Sequence, residues 1–238
     1  MRLAIFGNGA MGQLVGARAR DEGHEVARVL MSRDAARSVD ELGELLRGLD
    51  AAIDFSVAGA VPKNAEVCAR ARVPLVEGTT GWKESEGDVR RIIEEHDGAL
   101  LYGANFSIGV NLFYRIVTHA AELFQNLDDY APFVEEAHHA RKRDAPSGTA
   151  LKLRDTLAAA GLKGEISVAS TRAGHIPGTH RVGFDSIADQ ITLTHTARTR
   201  EGFTAGALFA ARWIVGRRGV YEFSEAIDCI LSERMKGA

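Results

Sequence analysis

Between Glu135 and Ala150 the chain reads EEAHHARKRDAPSGTA, so two imidazoles, an ammonium, an aspartate and a helix-opening Pro-Ser-Gly-Thr fall in one short stretch. Imidazole titrates near neutral pH, which makes His138 a candidate proton donor, and the fixed charge of Lys142 would hold an anionic substrate or sharpen that donor. If the strand carrying them stays extended, His138 and Lys142 project to the same side, because their separation is even. Ser147 is a good helix N-cap, and the first-turn amides of Gly148 and Thr149 form an anion site suited to a carboxylate. Adjacent histidines alone are more often structural; Lys142, Asp144 and the cap beside them turn the reading toward function.

A second group of residues reads as a cofactor site. The apolar strand Arg2 to Phe6 runs into Gly7-Asn8-Gly9-Ala10-Met11-Gly12 and then an amphipathic helix to about Glu22. In that strand, turn, helix context the glycines permit a tight turn, close backbone approach to a pyrophosphate and close helix packing, so a dinucleotide is expected. The next strand ends in Met31-Ser32-Arg33, where an acid would contact a free ribose diol. A hydroxyl and a guanidinium suit a 2′-phosphate, so NADPH is favoured over NADH.

The elements that position these residues follow from the apolar pattern. Strands at 51–55, 74–76 and 99–102 alternate with helices at about 61–71 and 84–96, which predicts a doubly wound parallel sheet. Two of its strand ends carry Glu77-Gly78-Thr79-Thr80-Gly81 and Gly103-Ala104-Asn105-Phe106-Ser107, candidate walls of a nicotinamide pocket. The first of these is equally readable as only a turn followed by a helix cap. From 107 to about 127 a long helix is expected to bury Ile108, Leu112, Ile116, Ala120 and Leu123. After it come a strand at 133–142, a helix at 147–160 and strands at 166–171, 179–186 and 189–197. One helix followed by strands without crossover helices predicts a separate mixed sheet beginning near Phe106.

Composition narrows the class. At 238 residues the chain can bury a core without metals or disulfides, and its formal net charge of −3 gives no basic footprint for nucleic acid. Cys68 and Cys229 lack metal-ligand spacing and read as buried reduced thiols. No apolar run reaches the roughly 18 residues of a membrane span, so a cytoplasmic protein without membrane or nucleic-acid partners is expected.

The stretch from Glu136 to Ala150 resembles, throughout, the signature of the dihydrodipicolinate reductases, also called 4-hydroxy-tetrahydrodipicolinate reductases, of lysine and diaminopimelate biosynthesis. The other pieces are similar and fall in the same order: Gly7 to Gly12, Gly78 to Gly81, Ala104 to Ser107 with Gly109-Val110-Asn111, Arg172-Ala173-Gly174, Gly178, His180, Ile191 to His195, Arg200, Phe203 and Gly206-Ala207. The resemblance implies a Rossmann-type α/β domain from 1–106 and 203–238, with an inserted α+β mixed-sheet domain at 107–202 for substrate binding and oligomerisation. It implies His138 and Lys142 as catalytic residues, and His139, Ser147, Gly148 and Thr149 as holders of a small dicarboxylate. Cofactor contacts are implied at Gly7 to Gly12, Gly78 to Thr80 and Gly103 to Phe106, with Ser32 and Arg33 added from the strand-end argument. A homotetramer and closure between the two domains are further expectations, and the departure at Met31-Ser32-Arg33 bears on the choice between NADPH and NADH. The readings set against this one are another NAD(P)-dependent amino-acid dehydrogenase and a non-catalytic dinucleotide sensor.

Overall fold

The computed structural model describes residues 1–162 and 164–236. In chain order it runs β1 (Arg2–Phe6), α1 (Ala10–Asp21), β2 (Glu25–Leu30), α2 (Val39–Leu46), β3 (Ala51–Asp54), α3 (Val61–Ala71), β4 (Leu75–Glu77), α4 (Glu86–Glu95), β5 (Ala99–Tyr102) and α5 (Ile108–Phe124). It continues with β6 (Ala131–His138), α6 (Gly148–Ala159), β7 (Ser167–Arg172), β8 (Thr179–Asp185), β9 (Gln190–Thr196), α7 (Glu201–Ile214), β10 (Gly219–Glu222) and α8 (Phe223–Lys236). These elements form two compact units, Met1–Ile108 with Glu201–Ala238, and Gly109–Arg200.

The first unit is a parallel sheet in the order β10-β5-β4-β3-β1-β2. Its central strands β3 and β4 are short and wholly apolar until their last residue because helices cover both faces. One face packs Ala52, Leu75 and Leu100 against Leu42, Leu46, Ala65, Cys68, Val89 and Ile93 of α2, α3 and α4. This is the doubly wound, Rossmann-type α/β sheet that the alternation predicts. Two elements go beyond the sequence reading. Helix α2 is nucleated by a capping box in which Ser38 Oγ accepts Glu41 N–H and Glu41 accepts Ser38 N–H, a signal present in the sequence as Ser-x-x-Glu. Strand β10 is a four-residue edge strand paired only with β5, too short to stand out by periodicity.

The second unit is a mixed sheet in the order β7-β6-β8-β9, with β6 and β7 parallel and the other pairs antiparallel. Val134, Val182 and Phe184 pack against α5 and α6, where Phe184 stacks on Phe124 at 4.1 Å between ring centroids. Three expectations are corrected here and in the first unit. Helix α5 buries Val110, Phe113, Tyr114, Val117 and Ala121, while Ile116 and Leu123 are exposed; the helix is apolar on most of its circumference, so periodicity misassigned its buried side. Strand β6 stops at His138, because the chain turns there and Lys142 N–H bonds to His139 O at 3.1 Å. Cys229 is only partly buried, unlike Cys68.

Candidate functional site

The residues predicted to contact a dinucleotide gather at the carboxyl ends of β1, β2, β4 and β5, one edge of the parallel sheet. Gly7 has φ of 92° and a Cβ there would lie 2.5 Å from Phe55 O; one on Gly12 would lie 2.1 Å from Gly7 O. These two glycines are therefore required by the fold itself. Gly9 differs: a Cβ would meet nothing within 4 Å, and as the N-cap of α1 it gives the first-turn amides no side-chain partner. Backbone donors at a helix start beside open space fit a pyrophosphate. Asn8 anchors the turn by accepting Gln13 Nε2 at 2.9 Å, and Ala10 and Met11 open the helix.

Beyond β2, Ser32 and Arg33 lie in a 3-10 turn where Asp34 is turned inward, accepting Met31 N–H and pairing with Arg37 at 3.2 Å. Arg33 stays exposed, and Lys63 Nζ fastens the loop through Ala35 O and Arg37 O at 2.7 and 2.6 Å. After β4, Gly78 lies over the Phe55 ring, and Thr79 accepts both Ser56 N–H on its hydroxyl and Trp82 Nε1–H on its carbonyl. Thr80 is exposed, and the Gly78–Gly81 turn is followed by helix α4 with Ser85 as N-cap. After β5, Gly103 abuts Phe223, Asn105 Oδ1 accepts Ser107 N–H, Ala104 is exposed, and buried Phe106 packs on Phe55 and Phe223.

In the mixed sheet the residues of the opening stretch are brought together around Glu136, to which the sequence reading gave no role. Registers place Ser170, Glu136, His180 and His195 in one row across β7, β6, β8 and β9, with Arg172 beside His138 in the next. Arg172 forks onto both Glu136 oxygens at 2.9 and 2.7 Å, and Ser147 N–H reaches Oε1 at 3.3 Å. His138 Nδ1 hydrogen bonds to Glu136 Oε2. A carboxylate only accepts, so Nδ1 carries the proton and Nε2 is left for a ligand. Gly178 lies on that side, and a Cβ there would approach Nε2 to 3.1 Å.

Electrostatics follow from these partners. Burial alone would raise the Glu136 carboxyl, but Arg172, Ser170 and His138 outweigh it and hold the group down to about 2. Burial lowers His138, Glu136 pushes it back up, and Lys142 and Arg172 lower it again, leaving it below its ordinary value. His180 is driven down to about 4 by burial and by neighbouring His138, so it is neutral, 3.1 Å from the Ser147 hydroxyl. That hydroxyl also accepts Ala150 N–H and caps α6. Glu136, His138 and His180 are close enough to share a cation. Arg172 already occupies both oxygens of the carboxylate, which makes the group an ion-pair cluster with its charge spent.

The other predicted substrate residues flank this cluster. Lys142 lies past the turn and binds Asp144 at 2.8 and 2.9 Å, so the even spacing that put it beside His138 on one strand does not hold. Gly148 faces open space at the start of α6, and the Thr149 side chain hydrogen bonds to Tyr114. His139 Nδ1, His180 Nδ1 and His195 Nδ1 are buried without a protein partner. Glu136, Arg172 and His180 were visible as residue types, but only the strand register assembles them.

Comparison with known proteins agrees across both units. Residues 1–106 match the family model described as dihydrodipicolinate reductase, N-terminus, and residues 109–227 match that for the C-terminus. A 4-hydroxy-tetrahydrodipicolinate reductase from Christiangramia forsetii is 34% identical, the match covering 96% of this chain and 98% of the relative. One from Archaeoglobus fulgidus is 36% identical, covering 96% of this chain and 100% of the relative. Among solved structures, the dipicolinate-bound dihydrodipicolinate reductase from Paenisporosarcina sp. TG-14 shares the fold at a TM-score of 0.78 and 23% identity, covering 93% of this chain and 97% of that one.

Proposed function

The chain belongs to the dihydrodipicolinate reductase family, and from that premise we infer that it reduces 4-hydroxy-tetrahydrodipicolinate to tetrahydrodipicolinate with NAD(P)H. It is an oxidoreductase of lysine and diaminopimelate biosynthesis. The first unit is assigned dinucleotide binding and the second substrate binding and assembly. Bound NAD(P)H supplies the hydride.

The chain's own residues do the rest. Glu136, pinned by Arg172, fixes the tautomer and direction of His138. A dicarboxylate arriving beside neutral His138 raises its proton affinity, so Nε2 takes up a proton and delivers it to the ring that receives the hydride. Lys142 exchanges Asp144 for one substrate carboxylate, a charge-assisted contact. The unpartnered nitrogen of His139 and the amides of Gly148 and Thr149 hold the substrate. The single observation that carries this reading is the Arg172-Glu136-His138 chain, because a sensor has no use for an oriented proton donor.

NADPH is the favoured cofactor, since Arg33 is exposed at the end of β2 while Asp34 is engaged by Arg37, by the Met31 amide and, at 4.0 Å, by Arg33 itself. Among the described residues no helix is long and apolar enough to cross a membrane; a cytoplasmic homotetramer formed through the second unit is the working state we propose, with sedimentation as its check. The activity is tested by NADPH oxidation in the presence of freshly formed dihydrodipicolinate synthase product. Turnover that needs that product supports the reading, and its absence with NADPH and NADH alike refutes it. Dipicolinate, the ligand of the Paenisporosarcina structure, is the natural inhibitor to try.

A further inference from the structure

Asp54 and Glu77 end β3 and β4, are partners in the parallel register, and are both fully buried. Parallel neighbours in register point to the same face, with backbones about 5 Å apart, and here that face is covered by α3. Asp54 receives Asn64 Nδ2 at 2.7 Å from α3 and Ser56 N–H at 2.7 Å from its own loop. Glu77 Oε1 receives Thr79 N–H at 2.7 Å, but its Oε2 is buried with no donor. The two carboxyls lie within hydrogen-bonding reach of one another. Among the described residues no ion pair reaches either of them; the other titratable group facing them is the buried Cys68 thiol of α3. Two carboxylates cannot both stay ionised in such a place.

We propose that Asp54 and Glu77 share one proton, carried on Glu77 Oε2 and donated to Asp54, and that this bridge positions the Ser56 and Thr79 loops against the cofactor. Glu77 is thus a positioning residue, and the proposal rests on the reading of Gly78 to Thr80 as cofactor contacts. The bridge ties the two loops through one network: Asp54 Oδ1 also lies 3.4 Å from the Thr79 hydroxyl, which itself accepts Ser56 N–H at 3.1 Å. Burial, reinforced by the charge of Asp54, pushes Glu77 well above the ordinary carboxyl range. Losing the shared proton at alkaline pH would put two charges in a dry pocket and force the loops apart.

Infrared spectra and NADPH titrations of the full chain test this. The wild type should show the carbonyl stretch of a buried protonated carboxyl at neutral pH, absent from Glu77→Gln; identical spectra overturn the shared proton. NADPH affinity of the wild type should fall by at least about tenfold from neutral to strongly alkaline pH. Glu77→Gln, whose amide replaces the proton donor, should stay flat over the same range, and Glu77→Ala should be weaker by about tenfold already at neutral pH. Wild-type affinity that is flat with pH, or Glu77→Gln following the wild type down, overturns the positioning role. Thr80→Glu separates the underlying reading: it should abolish NADPH binding if this loop meets the cofactor. Unimpaired binding by Thr80→Glu sinks that reading, and with it the role of Glu77.

Discussion

Glu77 and Glu136 are the same residue type, each near or at the end of a strand and each removed from water, yet the chain gives them opposite charge states. Glu77 faces Asp54, no cationic side chain pairs with it among the described residues, and burial drives its carboxyl up. Against burial, Glu136 is held ionised at about 2, with Arg172 forked onto both oxygens and His138 on one. The difference teaches that burial alone does not decide the chemistry of a carboxyl; the partner supplied by the neighbouring strand does. A neutral acid can tie loops together, whereas an ionised one can aim an imidazole.

The largest effects should therefore fall on the ionised side. His138→Gln and Lys142→Ala should each lower kcat by roughly two to four orders of magnitude in steady-state assays. Wild-type turnover in His138→Gln would break the assignment of proton chemistry to the Glu136 cluster, and wild-type kinetics in Lys142→Ala would break the assignment of Lys142 to a substrate carboxylate. Arg172→Met strands a buried carboxylate and should cost about 3–5 kcal/mol in denaturant unfolding. A loss under 1 kcal/mol, on the order of a surface pair, would show that Arg172 is not what keeps Glu136 charged.

The two acids should also bend the pH dependence of stability in opposite senses. The folded state binds the Glu136 proton less tightly than the unfolded chain, so its contribution is present above about pH 4.5 and is lost as pH falls toward about 2. That contribution is about 3 kcal/mol by linkage. Glu77 binds its proton more tightly when folded, so it makes stability fall as pH rises from the ordinary carboxyl value toward its elevated one. Glu77→Gln should remove the alkaline slope and Glu136→Gln the acid one; chemical unfolding across pH reads both, and a reversed pair of slopes would contradict the contrast. The smallest effect belongs to the cap: Gly148→Pro, which deletes one first-turn amide where a side chain meets open space, should raise the substrate KM by about fivefold with kcat little changed, roughly one hydrogen bond.

Much of this arrangement is local and could be read from the chain. The glycine turn, the strand and helix alternation, His138 and the Ser147 cap lie within short stretches whose chemistry is set by spacing. Register is not local. Glu136 meets Arg172 from β7 and His180 from β8 only because of how the strands align. A one-residue shift in the end of β4 likewise hid that Glu77 is the last strand residue, buried under α3, and not part of the loop beyond it. Lys142 was placed beside His138 by assuming an unbroken strand, and the turn at His139 undoes that geometry. On α5, apolar residues on opposite sides let periodicity pick the stripe through Ile116 and Leu123, whereas tertiary packing chose Val110, Phe113 and Val117.

Nitrogen NMR of histidine-labelled protein, without and with dipicolinate, reads the tautomer and charge of His138 that the Glu136 pair sets. Free His138 should be neutral at neutral pH with its proton on Nδ1, and the dicarboxylate should convert it to the doubly protonated form. A proton on Nε2 in the free protein, or a His138 signal unmoved by saturating ligand, would contradict it.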